Sequence, residues 1–303
     1  MKKLTLALDW TPNINHIGFF VAKEKGFYSE LDLAVDIIDP SIDHYQTTPA
    51  KKVELGVADF ALCPTESIIS FRTKAQPFDL IGIAALLQED LSAIVVRQDS
   101  QIKSPKDLDG KIYSSYKARY EDGIVREMIK NDGGKGALNI IYPNKLGIWN
   151  TLLKGEADAT WIFVNWEGVA AEDAGHVLRY FKMQDYQIPY SYSPLLATSE
   201  QKVKENQATY RHFVQATKKG HLYSQQFSQE AINILRPHIP ETDREINLAN
   251  AFARTAPSFG HAGNWGQLDH QVVQDFLDWI KAKGLEINNL SISEIVTNDC
   301  LND

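Results

Sequence analysis

Cysteine is scarce in this chain: Cys63 and Cys300 are the only two among 303 residues. They form neither a C-x-x-C pair nor a disulfide framework, so they leave the redox compartment undecided. Long apolar runs are missing as well, and nothing approaches the roughly 18 consecutive apolar residues that a membrane-spanning helix needs. Positive charge is in deficit, with 31 Lys and Arg against 39 Asp and Glu, a net charge of −8. The basic residues are scattered, and without a basic stripe no nucleic-acid partner is expected. Neither H-E-x-x-H nor G-x-x-x-x-G-K-[ST] occurs, and Gly133-Gly134-Lys135-Gly136 reads as an ordinary loop. Metal and nucleotide chemistry therefore have no motif to stand on.

What is present is enough apolar and aromatic material, 44% and 10% of the residues, to build packed cores. The length exceeds what one core of usual size holds, and two domains of about 100 to 200 residues are the first expectation. The opening Met1-Lys2-Lys3-Leu4-Thr5-Leu6-Ala7-Leu8-Asp9-Trp10 starts like a signal peptide, but its apolar run stops at Asp9 with no small-residue cleavage site. It reads as a first strand. With Met1 as the native start the protein is cytoplasmic; with a leader removed it is periplasmic or otherwise extracytoplasmic.

Strand and helix signals then alternate, which points to an α/β fold with largely parallel sheets. Strands are expected at 4–9, 33–38, 59–62, 80–86, 93–97, 111–115, 138–142 and 159–164. Helices are expected before Gly26, at 49–55, 66–73, 122–131 and 148–154, and over most of the tail from Lys202. Ser104-Pro105 caps a short helix of its own. A weak repeat, Gly56-Val57-Ala58-Asp59 and Gly155-Glu156-Ala157-Asp158, has helical pattern before it and strand pattern after it in both places. Gly suits the left-handed position that stops a helix and Asp the turn into a strand, so two α/β lobes of related topology are expected.

Four stretches, Leu8-Asp9-Trp10-Thr11-Pro12-Asn13, Ala22-Lys23-Glu24-Lys25-Gly26-Phe27-Tyr28, the Gly56 to Asp59 turn and Ile102 to Lys111, occur in an order and spacing that carry a resemblance over most of residues 4 to 235. The chain resembles the type II periplasmic-binding-protein superfamily, in the branch that holds thiamine-pyrimidine precursor binding proteins of bacterial ABC importers and the fungal thiamine-pyrimidine synthases. The resemblance implies a two-lobe α/β fold with the ligand in the cleft between lobes and two crossover segments. Placing the crossovers near Ser92 to Arg97 and Tyr192 to Thr198 gives lobe 1 as 1–92 plus 196–303 and lobe 2 as 93–195.

Open α/β sheets bind ligands beyond the carboxyl ends of their strands, which selects a small set of loops. After the first strand come Trp10, Asn13, Asn15 and His16; after the strand that follows Asp59 come Cys63, Thr65 and Glu66. In the second half come Ser114, Ser115, Tyr116 and Tyr120, then Trp161, Asn165 and Trp166, and beside the second crossover Tyr190, Tyr192 and Ser193. Aromatic and small polar side chains of this kind suit a flat, mostly neutral ring. Alternatives remain for several of them. Phe163 serves core or ligand, His16 is a cap, a packing residue or a donor, and Glu66 is a ligand contact or an early-turn acid that suits the helix dipole. Cys63, at a helix N-terminus, is a small packing residue or a nucleophile.

The synthases of this branch carry a lysine for pyridoxal phosphate where this chain has Cys63, a histidine where it has Ser67, and a cysteine-rich iron-binding run; none of the three is present. The bacterial binders carry an acid where the best match here is Ser193. The expectation is thus a monomeric solute-binding protein for a small aromatic heterocycle, a thiamine-type pyrimidine precursor, with no metal, cofactor or catalytic residue and an ABC permease as partner. The alternative is a cytoplasmic enzyme or carrier of thiamine-pyrimidine biosynthesis. Lys117 is the one lysine placed on a candidate cleft loop.

Overall fold

The computed structural model describes residues 1–301. In chain order its strands are β1 (Lys2–Ala7), β2 (Leu33–Ile38), β3 (Phe60–Cys63), β4 (Leu80–Ala85), β5 (Ser92–Arg97), β6 (Ile112–Ser114), β7 (Asn139–Ile141), β8 (Ala159–Phe163), β9 (Leu178–Phe181) and β10 (Leu195–Ser199). They form two five-stranded sheets, ordered β2-β1-β3-β10-β4 and β7-β6-β8-β5-β9. In the first sheet β1 is parallel to β2 and β3, and β10 runs antiparallel to β3 and β4. In the second, β6 is parallel to β7 and β8, and β5 runs antiparallel to β8 and β9. The two orders match position for position, and in each sheet the antiparallel strand is the one laid down just after the chain has crossed from the other sheet. The crossings are residues 86–91 and 182–194, so the strands that follow them begin at Ser92 and Leu195. The expected crossover Ser92 to Arg97 is thus β5 itself, and Tyr192 to Thr198 spans the end of the second crossing and most of β10. β9 and the helix Glu167–Asp173 were not expected from the sequence.

Alternation along the strands fixes the layers. Leu4, Leu6, Phe60 and Leu62 face one core cluster, and Ala7, Ala61 and Cys63 face the other, because successive side chains of a strand point to opposite sides. Helices Ile17–Glu24 and Gln207–Gln226 cover the first face. Phe213 of the long helix stacks on Phe60 at 4.0 Å between centroids, a pair worth about 1 kcal/mol beyond its burial. Among the described residues no helix is long and apolar enough to cross a membrane.

The repeated Gly-x-Ala-Asp turns do the same job in both sheets. Asp59 accepts the Thr5 N–H at 2.9 Å and donates its own N–H to Thr5 O at 2.8 Å; Asp158 does the same with Ile112, at 2.9 and 2.8 Å. Each pair registers a new strand against its parallel neighbour, β3 against β1 and β8 against β6. Gly56 and Gly155, at φ of +71° and +72°, have open space where a Cβ would sit. Gly56→Ala and Gly155→Ala should therefore each cost about 1 to 2 kcal/mol through backbone conformation alone, lowering the urea midpoint without altering the fold. Unchanged midpoints would show that the turns relax freely.

Candidate functional site

The parallel strands of the two sheets end facing one another, and the loops after them enclose a cavity of about 410 Å³. That is within the range of small-molecule sites. Asp9, Trp10, Asn13 and Asn15 reach it from the end of β1, Tyr45 and Thr48 from β2, and Cys63 and Glu66 from β3. Opposite them stand Tyr116, Lys117, Arg119 and Glu121 after β6, Lys145 after β7, and Trp161, Phe163, Trp166 and Glu167 from β8 and beyond. Tyr190 and Ser193 enter from the second crossing.

Two groups of rings face the space. Trp10 meets Tyr45 and Tyr116, each at 5.9 Å between centroids, and Trp161 meets Tyr190 at 5.1 Å. These tilted and edge-on contacts brace each ring and leave aromatic surface toward the cavity. The first loop is set by Asn13, whose side chain accepts the Asn15 N–H at 2.9 Å while its own N–H goes to Nδ1 of His16 at 3.2 Å. Nδ1 accepts, so Nε2 carries the proton and donates to Asp9 at 2.9 Å. The opposing loop is built on Glu121, whose carboxylate accepts the Tyr116 and Ala118 N–H groups and the Tyr113 hydroxyl.

The charged groups are unevenly satisfied. Glu66 is buried; burial, reinforced by the nearby Glu121 charge, pushes its carboxyl up to about 8 despite a hydrogen bond from Tyr190. Burial likewise raises Glu167 to about 7, against the Phe163 N–H that it accepts. Lys145 lies over the Tyr45 ring at 4.7 Å, and burial lowers its pKa. Burial also pushes the Cys63 thiol far above the ordinary thiol range.

Several residues expected at the site do not line the cavity. His16 is consumed by the capping pair and Asp9, which favours the capping alternative. Thr65 donates to the Tyr192 carbonyl at 3.0 Å and so anchors the second crossing. Ser114 bonds Thr151 and faces inward from β6, while Ser115 bonds Asp122 and shapes the loop. The Tyr120 hydroxyl donates to Glu286, and the Tyr192 hydroxyl accepts the Asp269 N–H. Asn165 ties the two lobes together, donating to Asn15 Oδ1 at 2.8 Å and Thr255 Oγ1 at 2.7 Å. In each case the polar group is used by its own turn, its own strand layer or the neighbouring lobe. The sequence reading missed Tyr45 and Lys145. Both follow the edge strands of their sheets, β2 and β7, a position that becomes visible only with the sheet order.

A second tie lies across the cleft. Arg119 pairs with Glu286 at 3.0 Å and donates to Thr73. Burial opposes ionisation of Glu286, but hydrogen bonds from Tyr120, Asn288 and Thr73 outweigh it and hold the carboxyl at about 2. The two halves are therefore held together at Asn165 and at Arg119.

The pyridoxal phosphate of the synthases does not fit at Cys63. A thiol cannot form the Schiff base, this one is buried, and the lysines of the cavity, Lys117 and Lys145, stand on the opposite loop set. Among the described residues no group of three or more His, Cys, Asp or Glu is disposed to hold a metal.

Two matched sheets with exchanged antiparallel strands and a cleft between them define a periplasmic-binding-protein type II fold. A Candida albicans gene product described as exhibiting the generic periplasmic binding protein structural fold superposes with a TM-score of 0.74 at 14% identity, over 98% of this chain and 97% of that one. The chain belongs to the NMT1/THI5-like family, whose pattern matches residues 13–231. It is similar to the formylaminopyrimidine-binding protein of Halalkalibacterium halodurans, at 24% identity over 93% of this chain and 86% of that protein. It is also similar to the 4-amino-5-hydroxymethyl-2-methylpyrimidine phosphate synthase of Legionella pneumophila, at 24% identity over 100% and 93%.

The site's chemistry yields two expectations. Cys63 should resist a thiol reagent such as Ellman's reagent at pH 8 in the native protein and react only on unfolding, and Cys63→Ser should leave the melting temperature nearly unchanged; stoichiometric reaction of the native thiol would contradict its burial. Glu66 and Glu167 have pKa values raised above the ordinary carboxyl range, so the folded state binds protons that the unfolded chain has released between about pH 4.5 and 8. Stability should therefore fall as pH rises through that window, and a melting temperature that climbs from pH 5.5 to 8.5 would contradict it.

Proposed function

We propose that the protein is a solute-binding protein for a flat, largely neutral aromatic heterocycle, a pyrimidine precursor of thiamine, which it delivers to the permease of an ABC importer. The observation that carries this reading is the cavity lined by two groups of rings, Trp10 with Tyr45 and Tyr116, and Trp161 with Tyr190. Ring faces attract ring faces, and a cavity of this size takes one or two small rings. The named activity of the Halalkalibacterium halodurans relative supports a formylaminopyrimidine as the ligand. The synthase alternative lacks a lysine at the Cys63 position, where its Schiff base would form.

Binding proceeds by closure about the two crossing segments. An open form admits the ring, which stacks against Trp10 and Tyr116. Closing brings Asn165 onto Asn15 and Arg119 onto Glu286, so that ligand and interlobe contacts form together. One chain supplies both walls, so a monomer suffices.

Trp10→Ala should weaken binding of formylaminopyrimidine by roughly 1 to 3 kcal/mol in calorimetric titration, with the melting temperature of the free protein little changed. An unchanged affinity together with a large drop in melting temperature would assign Trp10 to the core.

A further inference from the structure

One polar group in the cavity has no partner. Glu66 stands at the carboxyl end of β3, in the first turn of the helix Thr65–Thr73, and is 6% exposed. Its Oε1 accepts the Tyr190 hydroxyl at 3.1 Å, while Oε2 is buried and unpartnered. Leaving such an atom unsatisfied is costly for a neutral polar group and more so for a charge. The other cavity carboxyls are better served: Glu121 holds its own loop, Glu167 accepts the Phe163 N–H, and Asp9 accepts from His16.

The surroundings decide which protonation state answers this. The groups that act electrostatically with Glu66 are Tyr190 from the second crossing, Glu121 after β6, Lys145 after β7 and Cys63 beside it on β3. Lys145 is the only cation among them, and its charge is itself disfavoured by burial. Tyr190 and Cys63 are held neutral, their pKa values raised. Burial and the like charge of Glu121 therefore keep Glu66 in its acid form at neutral pH, and an acid needs an acceptor for its proton.

We propose that Glu66 is the specificity determinant of the cavity: its protonated carboxyl donates a hydrogen bond from Oε2 to an acceptor atom on the ligand's edge, so that the site selects neutral rings with a free ring nitrogen or carbonyl and rejects cationic N-alkylated ones. This rests on the heterocycle-binding reading above. Tyr190 fixes the direction of the carboxyl and makes the ligand's acceptor the missing partner of the pair. Ionisation of Glu66 removes the donor and sets a negative charge against the acceptor, so binding weakens as pH rises.

Titration of formylaminopyrimidine and its ring-N-methylated cation into wild type, Glu66→Gln and Glu66→Ala between pH 7.5 and 9.5 tests this, with circular dichroism confirming that each variant is folded. Wild type should lose affinity by roughly tenfold per pH unit above about 8.5 and should bind the N-methyl cation at least tenfold more weakly than the neutral ring. Glu66→Gln retains a donor at the same place, so it should bind within a few-fold of wild type at pH 7.5 and lose the pH dependence. Glu66→Ala should lose roughly 10 to 100-fold in affinity. Binding with a flat or rising pH profile in wild type, an unaltered profile in Glu66→Gln, or preference for the cation would overturn the assignment while leaving the heterocycle reading intact. Failure of wild type to bind either probe at pH 7.5 would overturn the reading and this assignment with it.

Discussion

The carboxyl ends of six parallel strands, three from each sheet, meet across one space, and the rest of the molecule is arranged around that meeting. In β2-β1-β3 and β7-β6-β8 every loop that leaves a carboxyl end lands on the cavity, so aromatic and polar side chains gather there without any one segment carrying the site. The exchanged strands β5 and β10 make this possible. Each sheet is completed by a strand that enters from the other side, so the two halves are tied by two segments rather than one.

Closure and chemistry are coupled through a few side chains. The loop after β6 presents Tyr116 and Lys117 to the cavity and, three residues on from Tyr116, sends Arg119 across to Glu286. The loop after β1 presents Trp10 and, five residues later, gives Asn15 to Asn165. A ligand that orders either loop therefore also orders a clasp. The interior also holds more acid than it can ionise: burial raises Glu66, Glu121 and Glu167, with one partly buried lysine, Lys145, in the lining. Such a space is inhospitable to an anion and poorly matched to a second carboxylate, and it suits a neutral ring with polar edges.

Much of the fold could be read from the chain because local and global signals agree. β2 and β4 are largely apolar segments preceded by Asp, β1 alternates apolar with polar residues before Asp9, and the Gly56–Asp59 and Gly155–Asp158 turns announced two related halves before their matching hydrogen bonds were known. β9 was missed because it is four residues long at the edge of its sheet and its pattern, Leu178-Arg179-Tyr180-Phe181, does not alternate. At the site, Trp10, Tyr116, Trp161, Trp166 and Tyr190 were legible as large rings on or beside the strands and crossing that meet the cleft, although Trp161 and Trp166 also pack into the core. The small polar residues were not. Whether Ser115 or Thr65 faces a ligand or a turn depends on which backbone or side-chain partner lies within 3 Å, and sequence spacing does not carry that. Tyr45 and Lys145 lay hidden for a different reason: they follow the edge strands β2 and β7, whose loops reach the cavity only because of the sheet order.

The central claim is that a single aromatic ring is held between the two ring groups when the lobes close. A crystal structure of the protein grown with formylaminopyrimidine measures this directly. The account predicts electron density for one planar ring inside the cavity, stacked on Trp10 or Tyr116 and facing Trp161 and Tyr190, with the Asn15–Asn165 and Arg119–Glu286 contacts intact. Density for the ligand outside the cleft, or an empty cavity in crystals saturated with it, would contradict the account.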